Sequence, residues 1–254
     1  SMSLMKGKKG LIMGVANERS IAWGISQKLS EAGAELAFTY LGDALKKRVI
    51  PLAEKLNSNV TFSCDVEKKD DVVKLFEDVK SSWGEIDFVV HAIAFSDKSE
   101  LSGEYLNTTR ENFQRSMLIS CFSFTEVARE ASKIMKPNGS MITLSYEANK
   151  AIPNYNVMGV CKSALEASVK YLARDLGQKK IRVNALAPVA GETPLLKSFM
   201  GGDTPEKREK FLSTIPIGRF STPNDMGNAA CFLCSEEASM ITGVVLQVDG
   251  GRCI

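Results

Sequence analysis

Short apolar runs alternate with longer amphipathic stretches along almost the whole chain, which is the pattern of repeated βα units around a parallel sheet. Seven runs read as strands, near residues 10–13, 35–40, 60–64, 86–91, 140–145, 182–187 and 244–248. Helices are expected between them. The first spans about residues 20–32, with Ile21, Ile25 and Leu29 four apart on one face and Gly33 as its stop. A later stripe of Val157, Cys161, Leu165, Val169 and Leu172 marks the helix that carries Lys162. The expected fold is α/β, a Rossmann-like doubly wound parallel sheet of about seven strands in a single domain over residues 6–254. Residues 188–216 break the rhythm with four prolines, Gly191, Gly201, Gly202 and a charged run. A segment of that length reads as a substrate lid with a short helix inside it, and a plain surface excursion is the alternative.

Composition narrows the function. With 254 residues, 44% of them hydrophobic, the chain can bury a large core. Lys plus Arg (32) nearly balance Asp plus Glu (30), so no nucleic-acid or membrane surface is proposed and small-molecule chemistry is favoured. The six cysteines are dispersed in apolar runs, as reduced core thiols are, and Cys231 and Cys234 share CxxC spacing without a second pair or a nearby histidine. No metal site is expected. Neither a signal peptide nor an apolar stretch near 18 residues is evident, so the expected location is cytoplasmic.

The strand ends carry the candidate chemistry. The first strand runs into Gly14, where a glycine permits a tight turn, and Ser20 at the start of the next helix can cap it, leaving N–H groups to face a pyrophosphate. The strict GxGxxG spacing is absent. Asp65 and Val66 follow the third strand, where a carboxylate can accept from an adenine amino group or simply cap a turn. Ile93 and Ala94, in the small-residue run after the fourth strand, allow close approach of a cofactor. His91, the only histidine, reads as a structural residue. After the second strand come Tyr40, Leu41, Gly42 and Asp43, with no immediate cation for a 2′-phosphate. This favours NADH over NADPH, although Lys46, Lys47 and Arg48 lie close behind.

Tyr155 and Lys162 are seven positions apart, close to two helical turns, so a helix would present a phenol and an ammonium on one face. A nearby cation favours the phenolate or strengthens the hydroxyl as a donor to a developing oxyanion. A buried tyrosine beside a snorkelling lysine is the plainer alternative.

Together these segments resemble the short-chain dehydrogenase/reductase superfamily, and within it the bacterial enoyl-acyl-carrier-protein reductases that use NADH. The resemblance rests on Gly14-Val15-Ala16, Ser20-Ile21-Ala22, 35–40, Cys64-Asp65-Val66 and 153–159. It implies NADH/NAD+ as cofactor and reduction of the trans-2 double bond of enoyl thioesters in type II fatty acid synthesis. It also implies an acyl-carrier protein as the partner bearing the substrate, and a homotetramer. Tyr155 and Lys162 would then be catalytic, with Tyr146 as the family's second tyrosine. Ser145 stands where ordinary superfamily members keep a serine. Gly14, Ser20, Ile21, Leu41, Asp65, Val66, Ile93, Ala94, Lys162 and Thr193 would hold the cofactor, and Phe95, Leu196, Phe199 and Met200 would line the acyl pocket. Ordinary members place tyrosine four residues before the lysine, where this chain has Met158. From about residue 187 the chain looks more like an ordinary short-chain dehydrogenase. A reductase of ketones, an alcohol dehydrogenase and a non-catalytic dinucleotide sensor therefore remain as alternatives.

Overall fold

The computed structural model describes residues 3–189, 196–197 and 200–254. The strands are β1 (Lys9–Met13), β2 (Glu35–Tyr40), β3 (Thr61–Ser63), β4 (Ile86–His91), β5 (Met135–Leu144), β6 (Arg182–Pro188) and β7 (Val245–Val248). They form one sheet in the order β3-β2-β1-β4-β5-β6-β7, with every pairing parallel. The helices are α1 (Ile21–Glu31), α2 (Gly42–Lys55), α3 (Lys69–Trp83), α4 (Arg110–Met117), α5 (Ser123–Ala131), α6 (Val157–Leu176), α7 (Pro205–Leu212) and α8 (Pro223–Cys234). A π-helical turn at Leu118–Phe122 joins α4 to α5.

Parallel strands with helices on both faces must be apolar on both faces, which is why β6 is buried at every position. The two faces separate residue by residue. Leu11, Met13, Val89 and Met141 join the core under α3, α5 and α6, where Phe76, Phe124, Leu165 and Val169 pack. Ile12, Phe88, Val90 and Ile142, one position out of phase, join the opposite core with Ile25 and Leu29 of α1 and Met226 and Leu233 of α8. Gly24 on α1 and Gly227 on α8 let those helices touch at the backbone. A Cβ on Gly227 would lie 2.6 Å from the Gly24 oxygen.

Two strands differ by more than one residue from their expected bounds. β3 is an edge strand paired only with β2, and its ladder is limited to Thr61–Ser63. β5 starts earlier than expected because Met135 pairs with Ile86, after which the register shifts until Ser140 meets Phe88. Lys136, Pro137 and Asn138 are exposed in that shift, and Asn138 adopts φ 70°. A helix, α7, occupies part of the expected lid, whereas residues 190–195 and 198–199 lie outside the described residues.

Candidate active site

Strand order reverses between β1 and β4, and a crevice opens there at the carboxyl ends of the strands. Gly14 forms its floor at φ 110°, and a Cβ there would stand 2.0 Å from the Ala92 oxygen. Only glycine fits where the ends of β1 and β4 meet so closely. The cavity is about 300 Å³ and is bordered by Gly14, Ala16, Tyr40, Leu41, Asp65, Val66, Ile93, Ala94 and Phe95, with Arg115 and Ile119 on the far wall.

Ser20 acts differently from the expected helix cap. Its hydroxyl reaches back along the loop and accepts from the N–H groups of Ala16 (3.0 Å) and Asn17 (3.1 Å). The loop after Gly14 is thereby folded onto the start of α1. The Trp23 and Gly24 N–H groups return to the Ser20 carbonyl, while Ile21 and Ala22, as at any helix start, have no intrahelical acceptor. Ser20 and Ile21 thus sit at the positive end of α1, the end of a helix that suits an anion.

Asp65 meets both readings of its sequence position. One carboxylate oxygen accepts from the Glu67 N–H at 2.9 Å, an Asx turn, and the residue still borders the crevice. Arg115 was not legible in the sequence as part of this wall. It forks onto Glu67 (2.9 and 3.2 Å) and lies 4.3 Å from the centroid of the Phe95 ring. Phe95, expected against substrate, is pinned by Ser120 in the π-helical turn, whose hydroxyl accepts from the Phe95 N–H and contacts the Met158 sulfur at 3.6 Å. Phe95 therefore links the dinucleotide crevice to the tyrosine region.

Tyr146 and Tyr155 form a small apolar cluster with Met158, packed on by Leu101 and Ile152. Their rings meet edge to face, with centroids 5.4 Å apart and planes at 69°. Tyr155 does not lie on the helix, contrary to the two-turn spacing argument, because α6 starts at Val157. It occupies a turn between Asn154 (φ 67°) and Asn156 (φ 49°), residues that tolerate the left-handed region. Both asparagines are tied to the segment after β4. Asn156 donates to the Glu100 and Gly103 carbonyls (3.0 and 3.3 Å), and the Gly103 N–H donates to the Asn154 side chain (3.1 Å). Tyr155 also borders a second cavity of about 420 Å³, with Ala148, Ile152 and Gly159.

Burial sets the electrostatics. Both tyrosines are pushed well above the ordinary phenol value by desolvation; for Tyr155 the lesser contributors are Tyr146 and Cys161. A phenolate is therefore disfavoured, and each tyrosine is a neutral O–H donor. Lys162 is buried, donates to the Leu144 carbonyl at 2.9 Å, and is lowered to about 8 by desolvation. His91 is held between Thr143 (2.9 Å) and Ser123 (2.8 Å), and burial, with Lys162 second, lowers it to about 3. It is a neutral structural residue. The Ser145 hydroxyl donates to Glu166 on α6.

Of the remaining expected site residues, Leu196 is buried and Met200 half-buried, whereas Thr193 and Phe199 lie outside the described residues. Cys231 and Cys234 are buried free thiols within α8, and burial pushes Cys234 up to about 12.

Sheet order, glycine floor and the anion-facing start of α1 place the molecule among Rossmann-type dinucleotide-binding proteins. The family profile described as Enoyl-(Acyl carrier protein) reductase matches residues 14–252. The chain belongs to that family. It is 51% identical over 249 residues to enoyl-acyl-carrier-protein reductase (NADH) 2 of Rhizobium meliloti, covering 98% of this chain and 92% of the relative. The Anaplasma phagocytophilum reductase, solved in complex with NAD, superposes with a TM-score of 0.91 at 46% identity, covering 99% of this chain and 94% of that one. The Bacillus cereus reductase, solved with NADP+ and indole naphthyridinone, gives 0.94 at 43% identity over 99% of this chain and 98% of that one. These matches extend through the segment after residue 187 whose residues look like an ordinary short-chain dehydrogenase.

Proposed function

We propose that the chain reduces the trans-2 double bond of enoyl thioesters, with Tyr155 as the donor to the thioester oxygen and Lys162 as the cation beside the nicotinamide ribose. The protein is an NADH-dependent enoyl-acyl-carrier-protein reductase, and the reading is carried by one observation. Met158 takes the position four residues before Lys162, and the buried phenol packed against it is that of Tyr155. A thioether has no proton to donate, so an enzyme built on the ordinary tyrosine position would lack its acid.

Bound NADH would supply a hydride to the β-carbon of the substrate, and the resulting enolate then takes a proton at the α-carbon. The chain's own groups do the rest. Gly14, Ser20 and Ile21 fit a pyrophosphate, because the floor has no Cβ and the helix start presents N–H groups. Leu41, Asp65, Val66, Ile93 and Ala94 fit the nucleoside along the crevice. Negative charge develops on the thioester oxygen only as the reaction proceeds. A neutral phenol held in an apolar cluster stabilises that charge selectively, because its dipole is already oriented and little water must be displaced. Tyr146, edge to face against Tyr155, fixes the ring that donates. Thr193 is assigned to the nicotinamide carboxamide, and Phe95, Leu196, Phe199 and Met200 to the acyl chain.

The substrate is presented on an acyl-carrier protein. A homotetramer assembled through the helices between β4 and β6 is supported by exposed Phe122, Val160 and Tyr171 on those elements. Among the described residues no helix is long and apolar enough to cross a membrane.

The test is a pair of assays with NADH and then NADPH, one on a crotonyl thioester and one on an acetoacetyl thioester. Turnover of the crotonyl substrate is expected, with the acetoacetyl substrate untouched. Reduction of the acetoacetyl thioester alone would overturn the assignment in favour of a ketone reductase. Steady binding of NADH without turnover of either would indicate a sensor.

A further inference from the structure

Glu147 directly follows Tyr146, yet it has no part in the reaction just described. Its side chain is 1% exposed, and its backbone adopts φ 33°, a left-handed conformation that an L-residue keeps only when its surroundings impose it. The neighbouring cation is Arg252, whose Nε lies 2.8 Å from Oε1. The contact is off-axis: by geometry neither carboxylate oxygen nor Nε takes part in an aligned hydrogen bond, and the other neighbour of the carboxylate is the Cys253 thiol, whose proton affinity Glu147 helps to raise. Desolvating two charges offsets much of the attraction between them, so this pair is a poor device for stability alone.

The guanidinium has a second face. It lies over the Phe211 ring, 4.4 Å from the centroid, and also donates to the Thr214 hydroxyl. Phe211 is in α7 and Thr214 just beyond it, in the last limb of the expected lid. The same limb is fastened to the segment after β7 through the backbone. The Ile217 N–H donates to the Gly250 carbonyl at 3.0 Å, and a Cβ on Gly250 would stand 2.8 Å from Ile215. The Asp249 carboxylate accepts from the Gly251 and Cys253 N–H groups, both at 3.1 Å, and so holds that segment in its turn. Arg252 thus spans two parts of the chain that no regular element joins.

We infer that Arg252 is a positioning residue that couples the Tyr146 loop to the α7 limb, so that seating an acyl chain beneath the limb and setting the Tyr146 ring are one event. The inference rests on the reading above that Tyr146 and Tyr155 stand at the reacting end of the acyl pocket. A planar guanidinium suits this task because it pairs and stacks at once, whereas a lysine could pair with Glu147 but would not stack flat on Phe211. Tyr146 feels both charges, Glu147 raising and Arg252 lowering its proton affinity, each less than burial does.

The experiment compares Arg252→Met, Arg252→Lys and the double variant Glu147→Gln/Arg252→Met with the unaltered chain. It measures steady-state turnover of a crotonyl thioester, NADH binding, thermal stability, and hydrogen exchange across Pro205–Leu212. Arg252→Met should raise KM for the thioester about tenfold and lower kcat less, with NADH binding changed by no more than about twofold. Exchange across α7 should quicken about tenfold, and Arg252→Lys should recover only part of both effects. The double variant carries no stranded carboxylate, so it should regain thermal stability while keeping the raised KM. Return of KM to its original value in the double variant would reduce the pair to charge balance and overturn the inference. An unchanged KM and unchanged exchange in Arg252→Met would overturn it as well. If the unaltered chain turned over no enoyl thioester, the proposed function would fail, and the exchange measurement would still decide whether Arg252 holds the two segments together.

Discussion

The Tyr146 and Tyr155 rings meet edge to face at 5.4 Å within an apolar cluster that Met158 completes. This arrangement separates two roles that sequence spacing alone would merge. A tyrosine paired closely with a lysine could serve as a phenolate, whereas a phenol raised by burial and a second phenol serves as a donor. Tyr155→Phe removes the donor and leaves the packing. Turnover of a crotonyl thioester should then fall about a hundredfold or more, the usual cost of losing one oxyanion partner, with NADH binding nearly unchanged. Tyr146→Phe should cost less, because that ring acts through Tyr155. Undiminished turnover in Tyr155→Phe would remove it from the mechanism.

Lys162 makes two pH dependences of opposite sign. Its folded value, about 8, lies below the unfolded 10.5, so between those limits the unfolded chain holds a proton that the folded chain has released. Lys162's own contribution to the stability of the NADH-free protein should therefore rise from about pH 8 to about pH 10.5, the cost of the buried ammonium being present in full below that window, against the opposite drift of the buried cysteines and tyrosines, which hold their protons longer in the folded chain. The stability difference between the unaltered chain and Lys162→Met isolates this rise. If Lys162 makes the proposed ribose contact, NADH affinity should move the other way and weaken above about pH 8 as the contact loses its charge. Denaturant titrations near pH 7 and pH 10, beside fluorescence titrations of NADH, would read both. A flat affinity profile across the window would contradict the ribose contact.

Much of the fold was legible because a parallel sheet covered on both faces writes each strand as an apolar run, and the stripe Val157, Cys161, Leu165 and Val169 is buried in α6 as expected. The strand ends that floor the crevice follow from the same reading, since sheet order alone brings Gly14, Asp65 and Ile93 together. What escaped was non-local. The spacing of Tyr155 and Lys162 suggests a continuous helix, but Asn154 and Asn156 form a left-handed turn anchored to residues 100 and 103, which lie far away in sequence. Two asparagines flanking a tyrosine were the available signal for that turn. Arg115 gave no comparable signal, because its place on the crevice wall depends on Glu67 and Phe95. The Glu147 and Arg252 pair joins residues more than a hundred positions apart, and neither has a local pattern that names the other.

Gly14 offers the sharpest separation between fold and cofactor site. An added Cβ would stand 2.0 Å from the Ala92 oxygen and 2.6 Å from its carbonyl carbon, and both are backbone atoms that no side-chain rotation can move. At φ 110° the residue also lies in a region that alanine rarely adopts. Gly14→Ala must therefore part the ends of β1 and β4, where the Ala92 N–H donates to the Met13 carbonyl at 2.9 Å. The expected loss of stability is about 2 kcal/mol or more, read by denaturant unfolding. NADH binding should fall further than stability does, because the displaced loop carries Ala16 and Asn17 away from the Ser20 hydroxyl that folds it onto α1. Gly42→Ala provides the control, since Gly42 has a similar positive φ of 80° but open space around its missing Cβ. It should show the backbone strain without the collision. Equal losses of NADH binding in the two variants would mean that strain, rather than closeness of approach, is what Gly14 relieves.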